Sequence, residues 1–429
     1  MKKIILFFIV ALTNITVFSQ DFSIDLELRP KYELRNGYKN FISNDENPAS
    51  FISQRSRINF NFTNEKIGAK LSLQNVRVWG DVPISTARDQ NAVAVFEAYA
   101  EYFHNEKMHF KLGRQIVSYD NQRIFGVSDW SQAGQSHDLF KISYRSNSNM
   151  QIDLGFAVNA ETEAHFQTGY AINNYKNLQY AWYHIDMNTS GLSFLLLNTG
   201  YEQETVGTTF KVNYLQTFGS YFNFKKNNWF ADFSGYAQTG EKSNTQVTAF
   251  YVGSSLLYSL NPNWKVGAGA EYISGTDMNE SSDKLHSFTP LFGTNHGFNG
   301  TMDYFYTGNH LNSVGLINPY FKILFSKEKI TASIVPHLFF AEASVVDFTN
   351  KKYDSYLGNE IDFSASYKFN KDFKLDFGYS QMFGTETLEF LKQKNPSGMQ
   401  NWIWIKFTFH PVLFSHSNKL EVPDPEPSI

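Results

Sequence analysis

From Phe22 to Arg35, apolar and polar side chains alternate almost without interruption. Phe22, Ile24, Leu26, Leu28, Tyr32 and Leu34 fall on one side, and Ser23, Asp25, Glu27, Arg29, Lys31, Glu33 and Arg35 on the other. A period of two marks a β-strand whose two faces meet different media. The pattern recurs as far as residue 410. It is clear in Met150 to Asn159, where Met150, Ile152, Leu154, Phe156 and Val158 oppose Gln151, Asp153 and Asn159. In Glu360 to Phe369, Ile361, Phe363, Ala365, Tyr367 and Phe369 oppose Glu360, Asp362, Ser364, Ser366 and Lys368. Trp402 to His410 ends the series with Ile403, Ile405, Phe407 and Phe409 on one face. Weaker segments such as Leu192 to Tyr201 are assigned mainly by position.

Eight short polar turns punctuate these strands: 64–66, 105–107, 146–149, 188–191, 225–228, 261–263, 326–328 and 370–372. They alternate with longer connections, the widest around 275–315. Each turn joins two strands of roughly 9 to 11 residues, enough to cross a bilayer at the tilt a barrel requires. Eight hairpins, with one strand before them and one after, predict an all-β fold: a transmembrane antiparallel up-and-down β-barrel of about 18 strands with both termini at the short-turn end. A soluble β-sandwich also alternates, but so many strands would need several sandwiches, and no linker divides the chain before residue 411.

Composition narrows the compartment. Met1-Lys2-Lys3, the apolar run Ile4 to Leu12 and the small-residue site Val17-Phe18-Ser19 form the three parts of a secretory signal peptide, with cleavage expected after Ser19 or Gln20. The expected organisation is signal peptide 1–19, barrel 20–410 and a Pro-rich tail 411–429. That tail, Val412 to Ile429 with Pro423, Pro425 and Pro427, reads as extended and disordered, an overhang with a periplasmic docking role left open. No later stretch reaches 18 uninterrupted apolar residues, so spanning must be done by strands. Cysteine is absent, which removes disulfides and thiol chemistry. Aromatic residues make up 17% of the chain, as girdles at both membrane interfaces would require. The net charge of −4, more negative once Lys2 and Lys3 leave with the signal, excludes a general affinity for nucleic acid.

Charge then decides which face is which. A cation facing lipid at mid-membrane costs roughly 2 to 4 kcal/mol, so Arg29, Lys31, Arg55 and Arg57 belong inside, in a wet, charged lumen. All nine arginines lie between residues 29 and 145, every later cation being a lysine, and this predicts a guanidinium-rich stripe on one side of the interior. Arginine suits planar carboxylates because its fork donates two parallel hydrogen bonds. The competing reading is a wall stiffened by pairing with Glu97, Glu101, Asp120, Asp129 and Asp153. Glu97 and Glu101 share a strand face as a glycosidase pair would, but lumenal ion pairing explains them more simply. The eleven histidines are scattered without metal-site spacing. No catalytic group, metal or cofactor is therefore expected, and His296 is assigned a loop-packing hydrogen bond. The loops Thr276 to Asn312 and Asp120 to Ser136, rich in Gly, Asn and aromatics, are the candidates to fold inward or cap the pore.

Leu112-Gly113-Arg114-Gln115, then Tyr119 to Gly126 and Asp129-Trp130, closely resemble the alginate export porin family. So do Gln74 to Gly80 upstream and Thr294 to Asp303 downstream. The resemblance covers nearly the whole mature chain. It implies a monomeric barrel of eighteen strands in the Gram-negative outer membrane, with an arginine-lined constriction that passes anionic uronate polysaccharide or oligosaccharide by diffusion. It further implies pore-lining roles for Arg77, Arg114, Arg123 and Asp129; the lumenal places of Arg29, Arg55, Arg57, Glu97 and Glu101 rest on strand parity and pairing. The alternative is a general small-solute porin without uronate preference. The compound, the direction of flow and any periplasmic scaffold are not written in the residues.

Overall fold

A computed structural model describes residues 20–85, 92–146, 149–170, 175–204, 210–280, 283–305, 314–396 and 398–417. The expected signal peptide, Arg88 and the tail beyond residue 417 lie outside them. The described strands are β1 (Asp21–Asn36), β2 (Ala49–Thr63), β3 (Ile67–Val78), β4 (Ala94–Phe103), β5 (Met108–Gln115) and β6 (His137–Arg145). They continue as β7 (Met150–Val158), β8 (Asn177–Met187), β9 (Ser190–Glu204), β10 (Phe210–Lys226), β11 (Trp229–Lys242) and β12 (Thr245–Ser259). The last six are β13 (Trp264–Ile273), β14 (Leu316–Lys327), β15 (Ile330–Phe340), β16 (Tyr356–Lys368), β17 (Phe373–Gly384) and β18 (Gln400–Phe409).

Each strand pairs antiparallel with the next, and β1 closes the sheet by pairing with both neighbours: Leu34 stands opposite Ser50 of β2 and Ile403 of β18. The result is a closed 18-strand antiparallel barrel. All eight expected short turns join the expected strand pairs, and both described ends lie at the short-turn end. The strands run from 8 residues in β5 to 17 in β10, so the longest exceed the membrane-crossing length and stand above it.

The alternation that predicted the strands also sorts their faces. Leu112, Phe156, Leu196, Phe250, Phe321 and Ile361 are exposed on the outer wall, whereas Arg55, Glu97, Asp153, Glu271 and Glu360 are buried on the inner one. For a barrel whose outer medium is hydrocarbon, the first set is the buried set.

One feature departs from expectation. The chain after Phe409 is not uniformly irregular: Val412–Ser417 extends β18 and pairs with Asp21–Asp25 of β1. Pro411 ends the ladder to β17, but its carbonyl accepts from Leu26 N at 3.1 Å, so the strand can continue along the uncovered edge of β1. The two loops expected to fold inward do so, and the lumen is not wet throughout. Loop 116–136, between β5 and β6, and residues 283–305 of the connection between β13 and β14 turn inward and pack on each other. Gly126 N donates to Phe292 O, and Thr294 N donates to Gln122 O, each at 2.9 Å. Their Ile124, Phe125, Phe288, Met302 and Tyr304 form one apolar core with wall residues Leu178, Tyr251, Leu316, Phe339 and Trp402. A bore of this width would otherwise be water-filled, and burying these side chains across it supplies the driving force for loop insertion.

Candidate functional site

The inserted loop 116–136 is held at both ends by guanidinium groups. On one wall, Arg29 and Arg55 stand directly opposite each other on β1 and β2. Both reach Asp129, at 3.0 Å and 2.7 Å respectively, and both donate to the carbonyl of Ser131, at 2.8 Å and 2.7 Å. Arg55 Nε adds a bond to the carbonyl of Gln132 at 2.6 Å, and the Gln132 amide donates back to the carbonyl of Arg29 at 3.0 Å. Glu27 lies 3.3 Å from Arg55 on the same wall. Arg57, beside them, bonds Gln74 at 2.6 Å and stacks over Phe96. Arg29, Arg55 and Arg57 thus stand together on β1 and β2, and the forks of the first two grip the chain's own loop.

At the other end Arg123, fully buried, donates to Glu271 on β13 at 3.3 Å and to Asn299 of the second loop at 3.1 Å. It lies between the rings of Tyr251 and Phe298. Asn299 also donates to Glu271 at 2.5 Å, so the carboxylate, the guanidinium and the amide close one buried network. Gly126 is required where the loops cross, because a Cβ there would lie 2.3 Å from Thr294 Oγ1.

Asp129 keeps 57% of its side chain exposed. Burial raises its pKa, but Arg29 and Arg55 outweigh that and hold the carboxyl below the ordinary carboxylate range.

Above this grip, against β1–β3, lies a cavity of about 540 Å³ bordered by Lys31, Arg35, Lys39, Tyr38, Trp130 and His296. Lys31 pairs with Glu33 at 2.9 Å and sits 3.9 Å over the centre of Trp130. Arg35 pairs with the other oxygen of Glu33 at 2.9 Å and lies over Tyr38 and Phe51. His296 stacks on Trp130 at 4.0 Å and bonds Asp303 at 2.7 Å, as the loop-packing assignment anticipated. Tyr38 donates to the other oxygen of Asp303, and burial together with that carboxylate pushes its phenol up.

The remaining expected site residues scatter. Arg114 stands opposite Ala98 and Asp138 and shares its parity with Leu112, so it is on the outer wall, where it pairs with Asp138 at 2.6 Å. Arg77 stands opposite Gln54, one position out of step with the inward Arg55, and at the rim it pairs with Asp81 at 3.0 Å. The pore-lining place implied for Arg114 is thus corrected by register, since a one-residue step reverses the face, whereas Arg77 and Asp81 border the cavity described above. Glu97 is paired with Lys70. Glu101 pairs instead with Lys111 at 3.2 Å and His109 at 3.6 Å, so the two carboxylates serve separate cations. Among the described residues no cluster of His, Asp and Glu has the makings of a metal site.

Tyr38 and Glu271 carry the site's geometry without having been singled out from sequence, whereas Lys31 and Arg35 stood on the charged face of the first strand and Trp130 and Asp303 stood within the motifs quoted above. Lys31 and Arg35 were legible, since both share the parity of Arg29 in an unbroken alternation. Glu271 was not, because its guanidinium partner Arg123 is far away in the chain.

The barrel is similar in fold to solved Pseudomonas aeruginosa outer-membrane proteins. OccD3 (OpdP) matches with a TM-score of 0.61 and 13% identity, over 93% of this chain and 93% of that one. OccK9 (OpdG) matches at 0.59 and 11%, over 91% and 98%. OpdK, solved with vanillate, matches at 0.60 and 10%, over 91% and 98%. A search of curated proteins finds no significant match. The sequence profile named "Alginate export" matches residues 18–402. With that span covering nearly all of a chain already shown to close into an outer-membrane type of barrel, this protein belongs to the alginate export family.

Proposed function

We infer that this barrel is a porin passing anionic, uronate-type saccharides across the outer membrane by facilitated diffusion, along the β1–β3 side of its lumen. The observation that carries the reading is the cavity at the mouth, where Lys31, Arg35 and Lys39 meet Tyr38 and Trp130. Ammonium and guanidinium groups attract a uronate carboxylate, and aromatic faces suit the apolar face of a pyranose ring. The apolar plug supports the same path by filling other parts of the lumen.

One observation favours the alternative, a general small-solute porin. Glu33, Asp81, Asp129 and Asp303 accompany the cations around the mouth and reduce its net positive charge. Reversal potentials across planar bilayers in a KCl gradient, followed by block with trigalacturonate and with neutral maltotriose, separate the two. The uronate reading expects anion selectivity that falls when Lys31 and Arg35 are both replaced by Met, and stronger block by trigalacturonate. Equal block by both sugars and unselective current would establish the general porin instead.

A further inference from the structure

We propose that a second saccharide subsite lies below the mouth, in the hollow between Trp404 of β18 and the short-turn ends of β13–β17, where a pyranose ring stacks on the Trp404 indole and its carboxylate pairs with Lys406. The inference rests on the uronate-porin reading and extends it to a place no sequence motif marked.

The hollow has a volume of about 360 Å³, within the range of small-ligand sites. Trp404 lies flat against the wall. Its neighbour across β17 is Gly378, and a Cβ there would sit 2.2 Å from the indole nitrogen. With a bare backbone on one side, the ring can lie along the wall and border the bore. An aromatic face carries negative charge density and attracts the polarised C–H groups of a sugar ring.

The charge around the ring is biased towards an anion. Asp376 is the carboxylate of the cluster, with Lys374 at 2.8 Å and Lys406 at 3.4 Å, and Lys265 borders the same hollow. Two ammonium groups pair with the one carboxylate and a third borders the same hollow, leaving cationic charge for a uronate. Sugar hydroxyls find partners along the wall in Ser333 and Ser364, bonded to each other at 2.7 Å, and in Ser366, which bonds Asp376.

The position continues the path from the mouth. Across the β1–β18 seam Lys406 stands opposite Lys31, and Trp404 opposite Glu33, two residues that border the upper cavity. Trp130 meets Trp404 edge to face at 5.3 Å. A saccharide leaving the Lys31–Trp130 region therefore meets Trp404 next, and exchanges one cation and one aromatic ring for another.

Single-channel recording of the mature full-length protein tests this, reading the residence time of block by trigalacturonate and by maltotriose. Trp404→Ala is expected to shorten trigalacturonate residence about tenfold, and Trp404→Phe by much less, since most of the stacking face is kept. Lys406→Met is expected to shorten residence of trigalacturonate but not of maltotriose. Should Trp404→Ala fail to fold, Trp404→Phe and Lys406→Met carry the test with the same expectations. Unchanged residence in Trp404→Ala and Lys406→Met, with wild-type block intact, overturns the subsite and leaves the uronate-porin reading standing. Absence of trigalacturonate block in the wild type defeats that reading, and the subsite falls with it.

Discussion

The inserted loops should depend on Arg123 more than on any other single side chain. Arg123→Met keeps most of the volume but removes the donors to Glu271 and Asn299 and the cation between Tyr251 and Phe298. Glu271, buried on the wall, then keeps the bonds from Tyr251 and Asn299, both at 2.5 Å. Breaking a buried ion pair by removing one partner costs about 3 to 5 kcal/mol, because the other charge is left uncompensated. The β-barrel itself has its ladder intact, so the loss should appear as local opening of loop 116–136 and residues 283–305. Hydrogen exchange in detergent at the amides of Gly126 and Thr294, which bond across the two loops, reads it directly. A loss of about 3 kcal/mol lowers protection there by about 100-fold, at 1.36 kcal/mol for each factor of ten. Adding Glu271→Gln should restore much of that protection, since it removes the orphaned charge. Protection unchanged within about fivefold in Arg123→Met, or no recovery in the double variant, would refute the claim that this ion pair holds the plug.

Other expectations follow from the same geometry. Asp129→Asn withdraws the charge seated on Arg29 and Arg55, and anion selectivity in a KCl gradient should rise. Because the folded-state pKa of Asp129 is depressed, its stabilising contribution is present above about pH 4, the unfolded value, and is lost as pH falls through the lower folded value; loop 116–136 should exchange faster only in that acid range. Arg114→Ala, on the outer wall, should leave selectivity unaltered, and a fall to the level of a Lys31 and Arg35 double variant would contradict the register. Lys392, in the short helix α1 (Glu386–Lys392), donates to the carbonyls of Lys39 and Tyr304, and burial lowers its pKa to about 7. The unfolded side chain titrates near 10.4, so the local fold gains stability as pH rises from about 7 to about 10. Exchange of the α1 amides, corrected for intrinsic rates, should slow over that range.

Much of the site's cationic half was present in the alternation of β1. An odd-numbered run from Asp25 to Arg35 placed Arg29, Lys31 and Arg35 on one face, and the structure keeps them there. Parity also held the answer for Arg114, since Leu112 two residues earlier is an outward residue. The motif resemblance pointed inward instead, and hydrocarbon cannot enforce alternation near the rim as it does at mid-membrane. Arg77 differs: Gln74 to Val78 mixes apolar and polar residues on both faces, so its place at the rim beside the cavity shows only in the fold.

What the amino-acid order alone determined is the barrel: its strand count, its short turns and which face of each strand meets water, because a period of two is a local property that the membrane enforces strand by strand. What only the tertiary structure decided is how the bore is furnished. Loop 116–136 reaches Arg29 about a hundred residues away and Glu271 about 150 residues away, and such contacts leave no periodic trace. The loops are drawn in by apolar burial and fastened by buried charge pairs, and both depend on which walls happen to face each other once the sheet has closed.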